Sequence, residues 1–267
     1  MTPFKEKYGS LALVAGASEG IGAAFAHYIA KAGMNLVLVA RRREPLQQMA
    51  DSLIREYGIK ATCIACDLSE PAAASQIKEA LKDQEVNLMV YNAALSYIGP
   101  FENNTPEQHQ QIARTNMTTP LNLLHLFGEP MLHKGKGAVV LMSSLAGFQG
   151  SGYLAVYAAS KAFNRVLAES LWYEWKNRGV DVLACCAGAT ATPNYIQTQP
   201  GKTSFFAPRV QGPEEVVEDC FRQLGKQPSC ITGRGNRIAS FLMQRLMPRK
   251  MAITIMGNTT RKMYRIG

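Results

Sequence analysis

Residues 11–22 read LALVAGASEGIG, and this stretch decides the fold class. The apolar run at 11–15 has the length and composition of a buried strand, and helical spacing continues from about Ile21 to Ala32. A turn with glycines at 16, 20 and 22 lies between them. Glycine lets the backbone approach a pyrophosphate, and the following helix presents its N-terminal N–H groups to the anion. The stretch therefore predicts a strand–turn–helix unit that binds a nucleotide.

The same alternation continues along the chain. Apolar runs separated by segments of helical spacing are typical of a parallel sheet covered by helices on both faces. Right-handed crossovers then predict an α/β fold, a single doubly wound Rossmann-type domain with a mainly parallel sheet over residues 1–267. The predicted strands are 11–15, 35–40, 61–65, 86–91, 138–142 and 180–186, and the predicted helices are about 21–32, 44–57, 71–82, 106–132 and 157–177.

The composition excludes several classes of protein. Of the 267 residues, 47% are apolar, so the chain can bury a sizeable core. It has no run of about 18 apolar residues, and its polar N-terminus does not match a secretory signal. Six cysteines in a chain of this length do not make a disulfide scaffold, which favours a reducing, cytoplasmic setting. Cys63 and Cys66 form a lone C-x-x-C, with no second pair or nearby His to complete a zinc set, and the four histidines have no metal-site spacing. No metal is therefore predicted.

The positive charge lies at the C-terminus. The net charge is +9, and from Gly225 onward the chain has nine Lys or Arg and no Asp or Glu. The balanced remainder argues against a nucleic-acid surface and indicates a local feature, a basic C-terminal extension at about 236–267. Its apolar residues between 238 and 247 follow helical spacing. Such a face can pack on the body or a partner subunit, cover the active-site mouth or lie on an anionic membrane.

We favour packing over membrane contact for this extension, and we expect it also to close over a hydrophobic substrate. The stretch at about 193–213 breaks the alternation and is expected to be a long substrate loop. Four aromatic residues near these segments suit a bulky substrate, although ordinary core or lid packing is an equal alternative: Tyr153, Tyr195, Phe205 and Phe206.

Three arginines, 41–43, stand at the end of the second predicted strand. Enzymes that select NAD place an acidic residue here to bind the ribose 2′-hydroxyl, whereas an arginine accommodates the 2′-phosphate of NADP. A guanidinium supplies planar donors that suit this phosphate, and no carboxylate occurs before Glu44. Arg41 and Arg42 therefore predict NADP as the cofactor, whereas Arg43 is expected to be solvated.

Tyr157 and Lys161 carry the strongest chemical signal. They are four residues apart, so they share one helical face. A nearby ammonium favours phenolate and is expected to lower the pKa of the phenol towards a range useful for acid/base work. Ser144 ends the preceding strand, thirteen residues before Tyr157, and can hydrogen-bond the substrate oxygen that the phenol protonates. The three residues predict proton transfer to a carbonyl oxygen.

In the order and spacing of these motifs, the sequence resembles the short-chain dehydrogenase/reductase family over nearly the whole chain to about residue 190. The resemblance implies a catalytic tetrad of Asn116, Ser144, Tyr157 and Lys161. Tyr157 is the expected general acid/base, and Ser144 is expected to orient the carbonyl. Lys161 is expected to bind the nicotinamide ribose and lower the pKa of Tyr157, and Asn116 to hold a water for proton relay.

The resemblance also implies the cofactor contacts. Asp67 is expected to meet the adenine, Asn92 the backbone on the cofactor side, and the segment with Thr190 and Thr192 the carboxamide end. The full expected set is Gly16, Ser18, Gly20, Ile21, Gly22, Arg41, Arg42, Asp67, Leu68, Asn92, Ala93, Tyr157, Lys161, Thr190 and Thr192. The sequence departs from the family pattern at Ala15, Ala94 and Ala187, none of which removes a reactive group.

Two narrower resemblances point to a hydrophobic substrate. Residues 6–9, 16–20, 41–42 and 224–226 are similar to bacterial NADP-dependent 7β-hydroxysteroid dehydrogenases, whereas residues 245–249 look more like reductases of long-chain acyl or other lipid-like ketones. The expected function is NADP(H)-dependent interconversion of a ketone and a secondary alcohol on a steroid-like or lipid-like substrate. The alternatives are a 3-ketoacyl-type reductase and a non-catalytic NADP-binding sensor or scaffold. The resemblance further implies a homodimer or homotetramer.

Overall fold

The computed structural model describes residues 3–197 and 209–266. Seven strands form one sheet in the order β3-β2-β1-β4-β5-β6-β7, and every neighbouring pair is parallel. The strands are β1 (Leu11–Ala15), β2 (Asn35–Ala40), β3 (Ala61–Ala65), β4 (Leu88–Tyr91), β5 (Gly137–Ser144), β6 (Val180–Ala187) and β7 (Ser229–Ile231). The predicted doubly wound fold with a mainly parallel sheet is confirmed.

Helices cover both faces of the sheet. They are α1 (Pro3–Tyr8), α2 (Gly20–Lys31), α3 (Arg43–Tyr57), α4 (Ala73–Leu81), α5 (Pro106–Ala113), α6 (Thr119–Lys134), α7 (Ala155–Trp175), α8 (Pro193–Gln197), α9 (Pro213–Gln223), α10 (Arg234–Phe241) and α11 (Arg249–Met263). Short 3₁₀ turns lie at Phe101–Asn103, Leu145–Phe148 and Lys176–Arg178. No helix in the described part of the chain is both long and apolar enough to span a membrane.

The strands bury side chains on both faces, which explains their nearly continuous apolar sequences. Val14 and its neighbours on one face pack with α2, α3 and α9, whereas Leu13 and its neighbours on the other face pack with α4, α6 and α7. β1 pairs with β2 on one side and β4 on the other, so the chain reverses its winding direction there. Ligands of doubly wound folds bind outside the carboxyl ends of the strands at such a point.

The structure differs from the sequence prediction in two regions. The expected helix at 106–132 is α5 and α6 joined by a π-helical turn at Arg114–Thr118, because one extra residue is accommodated before Pro120 in the first turn of α6. The alternation was expected to stop at 193, yet α9 and β7 continue it. Strand β7 is only three residues long, so its sequence carries almost no periodic signal.

The proposed substrate loop lies partly outside the described residues. Within 193–213 the structure contains α8 and a parallel bridge between Thr190 and Gln211. Phe205 and Phe206, expected near the substrate, lie outside the described residues.

An aromatic cluster joins the end of the chain to its beginning. The Phe221 ring of α9 lies 5.0 Å from Phe4, 5.3 Å from Phe25 and 4.7 Å from Tyr28, measured between ring centroids. Edge-to-face and stacked pairs of this kind add to the free energy of burial. The cluster therefore holds α9 against α1 and α2.

We predict that Phe221→Ala lowers the free energy of unfolding by about 3–5 kcal/mol, because it removes a buried ring from three aromatic neighbours. Phe101→Ala is the control, since that ring is 60% exposed, and it should cost less than about 1 kcal/mol. Urea unfolding followed by circular dichroism measures both. Equal losses for the two variants would contradict the role of the cluster.

Candidate active site

A cavity of about 930 Å³ opens at the carboxyl edge of the sheet. Its lining includes the glycine-rich turn after β1, the arginines after β2, the ends of β4 and β5, and the first turns of α7. Residues from α10 and α11 close its other side. The structure thus brings Ser144, Tyr157, Lys161 and most of the expected nucleotide residues to one cavity. Gly22 and Asn116 lie outside its lining.

The glycine-rich turn is packed too tightly for side chains. Gly16 has φ +80°, and a Cβ there would lie 2.8 Å from the backbone of Ala93. A Cβ on Gly22 would lie 1.8 Å from the Gly16 carbonyl oxygen. Asn92 Nδ2 donates to that same oxygen at 3.0 Å. The backbone is therefore held close to the space above the N-terminus of α2, as a dinucleotide requires.

The remaining residues of the turn also line the cavity. Ser18, Gly20 and Ile21 do so, and no side chain caps the N-terminus of α2. Its first N–H groups and the partial positive charge of the helix end face a site for an anion. These features fit the pyrophosphate of NADP.

The arginines after β2 lie at the rim of this cavity, but one of them already has a partner. Arg42 Nη2 donates to Glu19 Oε2 at 2.6 Å. Arg41 is exposed and acts together with hydrogen bonds from Ser69 to hold the pKa of Asp67 below its usual range, against the opposing effect of burial. A 2′-phosphate at this rim has two guanidinium groups within the cavity lining and competes with Glu19 for one of them.

Asp67 and Leu68 lie after β3, opposite the turn. Asp67 Oδ1 accepts hydrogen bonds from the Ser69 backbone N–H at 2.9 Å and its hydroxyl at 2.8 Å. The Leu68 carbonyl oxygen accepts from Thr119 Oγ1 at 2.9 Å. Both residues line the cavity, so their backbone is fixed where the adenine end is expected.

Ser144, Tyr157 and Lys161 meet at the ends of β5 and α7. The Ser144 hydroxyl lies near enough to the Tyr157 phenol to lower its pKa, and Ser144 Oγ accepts a hydrogen bond from the Ala146 N–H at 3.2 Å. Burial raises the pKa of Tyr157, and the nearby Ser144 hydroxyl acts in the opposite direction. The phenol is therefore protonated at neutral pH and ready to donate.

Lys161 is buried and lies 5.6 Å from the centre of the Tyr157 ring, measured from Nζ. Its Nζ donates to the Met142 carbonyl oxygen at 3.0 Å. Burial lowers the pKa of Lys161 to about 8. The expected lowering of the Tyr157 pKa by this ammonium is not seen, because desolvation of the phenol outweighs it and the ammonium is directed to a carbonyl.

Asn116 lies in the π-helical turn and its side chain is buried. Its Nδ2 donates to the Leu95 carbonyl at 2.9 Å and to Ser160 Oγ at 2.9 Å, while Oδ1 accepts from the Leu95 N–H at 2.8 Å. Both amide hydrogens are therefore used inside the protein. The side chain fixes the segment after β4 against α7, and the binding of a water at Asn116 stays a prediction.

Thr190 and Thr192 follow β6 on the other side of the site. Thr190 is buried, and its hydroxyl donates to the Gly188 carbonyl at 3.1 Å. Thr192 Oγ1 accepts from the Tyr195 N–H at 3.2 Å, and its methyl group faces Gly20, where a Cβ would lie 2.9 Å away. The two threonines thus close the cavity over the glycine-rich turn.

The sequence analysis expects the C-terminal extension to close over the substrate, but it does not identify which of its residues line the cavity. Nine residues from α10, α11 and the segments that follow them line the cavity: Asn236, Ala239, Ser240, Met243, Met256, Thr259, Thr260, Met263 and Tyr264. Tyr264 lies close enough to Tyr157 to raise its pKa. The buried side chains of Gln211, Thr232 and Asn236 are hydrogen-bonded together and anchor α10. Helical spacing could have identified these faces, but only the structure shows which one turns inward.

The described residues contain no cluster of His, Cys, Asp or Glu able to hold a metal ion. All six cysteines are free thiols, and only Cys63 is not fully buried. The cavity contains the phenol, hydroxyl and ammonium groups of Tyr157, Ser144 and Lys161, with the glycine-rich turn and the arginines as anion-binding groups.

Comparison with known proteins agrees with this geometry. The short chain dehydrogenase family matches residues 10–202. A 7β-hydroxysteroid dehydrogenase of Clostridium sardiniense is 36% identical over 88% of this chain and 89% of its own. A solved structure from a study of 7β-hydroxysteroid dehydrogenase stereoselectivity superposes with a TM-score of 0.89 at 32% identity, covering 94% of this chain and 98% of the other.

A second solved structure is a short-chain dehydrogenase from Sphingobium yanoikuyae in complex with NADPH. It has a TM-score of 0.75 and 28% identity, with coverage of 84% of this chain and 87% of the other. The fold, the site and the family match together define the class: the chain belongs to the short-chain dehydrogenase family. It is an oxidoreductase that acts on CH–OH groups.

The buried ammonium makes a testable contribution to stability. The pKa of Lys161 is about 8 in the folded chain, below the value of about 10.4 in an unfolded chain. Below pH 8, Lys161 is protonated in the folded and in the unfolded chain, so the full cost of burying its charge lowers the free energy of unfolding there. This cost disappears as the pH rises towards the pKa of Lys161 in the unfolded chain. We therefore predict that Lys161→Met is more stable than the wild type at pH 7 by about 1–3 kcal/mol.

The difference in free energy of unfolding between Lys161→Met and the wild type should be smaller at pH 9.5. At that pH the folded wild type buries a neutral amine and no longer bears the cost of a buried charge. Urea unfolding at both pH values measures it, and titration of other groups cancels in the comparison. A variant that is less stable at pH 7, or a difference independent of pH, would contradict the argument.

Proposed function

We propose that this protein is an NADP(H)-dependent enzyme that interconverts a ketone and a secondary alcohol on a bulky hydrophobic substrate, steroid-like or lipid-like. The observation that carries the proposal is the meeting of Ser144, Tyr157 and Lys161 in a cavity whose opposite wall contains methionines of the C-terminal helices. Two relatives that are 7β-hydroxysteroid dehydrogenases support the steroid-like class.

NADP is the cofactor that the donor set fits best. The Gly16 turn and the N-terminus of α2 take the pyrophosphate, and Arg41 and Arg42 take the 2′-phosphate. Asp67 and Leu68 lie at the adenine end. Asn92, Ala93, Thr190 and Thr192 lie towards the nicotinamide end, where Lys161 is positioned for the ribose. Two solved relatives bound to NADPH or NADP support this choice.

The protein's part in the reaction is proton transfer and positioning. NADPH, when bound, supplies the hydride for the carbonyl carbon. Ser144 donates a hydrogen bond to the substrate oxygen, and Tyr157 gives that oxygen its proton as the alcohol forms. The raised pKa of Tyr157 keeps the proton in place until then. Lys161, charged below about pH 8, is positioned to bind the nicotinamide ribose beside the phenol.

Asn116 is a positioning residue in this scheme. It is bonded to Ser160, whose hydroxyl donates to the Tyr157 carbonyl at 2.7 Å. This connection ties the first turn of α7 to the π-helical turn. It thereby fixes the phenol relative to Ser144.

The hydrophobic substrate follows from the lining beyond the phenol. Met243 and Met256 face the cavity from the two C-terminal helices, and Met263 lies near Tyr264 at its end. Unbranched thioether side chains adapt to irregular apolar shapes. A small polar substrate would leave these surfaces in contact with water, whereas a fused-ring or long-chain ketone would bury them.

We predict that Tyr157→Phe lowers kcat for ketone reduction by about 10²- to 10⁴-fold, because only the acidic proton is removed. NADPH affinity should stay within about twofold of wild type. The assay follows NADPH oxidation against steroid, bile-acid, 3-ketoacyl and small diketone panels, with Tyr173→Phe on exposed α7 surface as the matched control.

Near-normal turnover by Tyr157→Phe would contradict the proposed acid. Preference for 3-ketoacyl thioesters would favour the ketoacyl alternative, and binding of NADPH without turnover of any panel member would favour the sensor.

The Glu19–Arg42 pair gives a sharp prediction for cofactor choice. Both side chains are about half exposed, at 43% and 54%, so the pair is worth at most about 1 kcal/mol. Glu19→Gln should therefore tighten NADPH binding by about two- to fivefold and leave NADH binding unchanged. Arg42→Gln should weaken NADPH binding by about tenfold or more. Fluorescence titration measures the dissociation constants of NADPH and NADH for both variants. Weaker NADPH binding by Glu19→Gln would contradict this role of the pair.

A further inference from the structure

The helix that covers the active-site cavity has a second face. In α10 and the π-helical turn Leu242–Leu246 that continues it, Asn236, Ser240 and Met243 face the cavity. Residues that follow at helical spacing on the opposite side are exposed and apolar: Ile238 (63%), Phe241 (59%), Leu242 (44%) and Leu246 (70%). Single exposed apolar residues are common on protein surfaces, but a contiguous stripe of four marks an interaction surface.

This stripe is surrounded by positive charge. Arg234, Arg245, Arg249 and Lys250 are exposed on or beside it, and the sequence has no Asp or Glu after Asp219. Arg237 is the exception, since it lies 3.9 Å from Asp219. We call the stripe and these four cations the outer α10 face.

We propose that the outer α10 face docks on an anionic lipid bilayer. A short helix with one apolar face and flanking Arg and Lys lies in the plane of a bilayer interface, with the apolar side chains inserted and the cations at the headgroups. The positive charge of this face favours an anionic bilayer over a second copy of the chain as the partner. A two-fold contact places the same patch against itself, so the cations would oppose one another.

The position of the face gives docking a consequence for access to the site. Helix α10 lies between the outer α10 face and the cavity. When this protein is docked on a bilayer, its active-site cavity therefore lies within one helix diameter of the lipid. The inner side of α10 packs on the body, as the sequence predicts, and the bilayer contact on its outer side is additional to that packing. The docking itself does not depend on the proposed substrate, so it is tested without one.

The experiment is sedimentation of the full chain with vesicles of phosphatidylcholine, with or without phosphatidylglycerol. We expect binding to the anionic vesicles, weakened by salt. The double variant Arg234→Gln/Arg245→Gln should reduce partitioning by about thirtyfold. Phe241→Ser/Leu246→Ser should reduce it by more than about tenfold. The matched controls, Lys60→Gln/Lys78→Gln and Val166→Ser, change exposed cations or an exposed apolar residue elsewhere and should bind as the wild type does.

NADPH affinity of each variant, measured by fluorescence without substrate, shows that it is folded. Several results would overturn the proposal: no binding to anionic vesicles, equal binding to neutral ones, or the same binding by the charge variant and its control. A change in oligomeric mass of Phe241→Ser/Leu246→Ser without lipid would also overturn it, because a second copy would then cover the face. A failed reductase assay would bear only on the proposed function.

Discussion

The close approach of the glycine-rich turn to the end of β4 is the constraint on which the site depends. The Asn92 and Ala93 N–H groups both donate to the Ala15 carbonyl, at 3.0 and 2.9 Å, and the Asn92 side chain reaches the Gly16 carbonyl. These bonds fix the cofactor turn to a central strand. Any side chain at Gly16 would collide with Ala93. Only glycine at this position therefore allows the turn to lie this close to the end of β4.

Strand β4 also fixes the position of the catalytic groups, through β5 and α7. β4 pairs with β5, and β5 is joined to α7 by two bonds to main-chain carbonyls, from Ser143 Oγ to Lys161 at 2.7 Å and from Lys161 Nζ to Met142 at 3.0 Å. Asn116 and Ser160 hold the other side of α7. The edge of the sheet thus fixes the position of the phenol. The same arrangement buries the Lys161 ammonium, which lowers the free energy of unfolding below pH 8. Functional sites commonly retain groups that lower stability in this way.

The sequence predicts the parts of the molecule that depend on local pattern. The strand bounds at 11–15, 35–40 and 61–65 agree with the structure, as do the doubly wound topology and the short-chain dehydrogenase family. Periodicity suffices there, because buried parallel strands are continuously apolar. The Tyr157 and Lys161 pair is equally local, since four residues of helix set its geometry.

Features that depend on distant contacts could not be predicted. The Glu19–Arg42 pair joins residues that are far apart in sequence, and nothing local marks either as paired. The π-helical turn at Asn116 depends on bonds to Leu95 and Ser160. For α10 and α11, spacing shows which residues share a face but not that Met243 and Met256 turn towards the cavity. The effect of burial on the Tyr157 pKa is likewise a property of the folded chain.

We propose that the acid site of a short-chain dehydrogenase is completed here by a wall that contains Met243, Met256 and Met263 and that selects bulky ketones. The most direct test is the ratio of kcat/KM for a steroidal ketone to kcat/KM for a small cyclic ketone, measured with NADPH at one pH. We predict a ratio above about a hundredfold, because burial of the additional rings is worth roughly 25 cal/mol for each Å² of apolar surface. A ratio near one would contradict the claim, since the methionine wall would then contribute nothing to recognition.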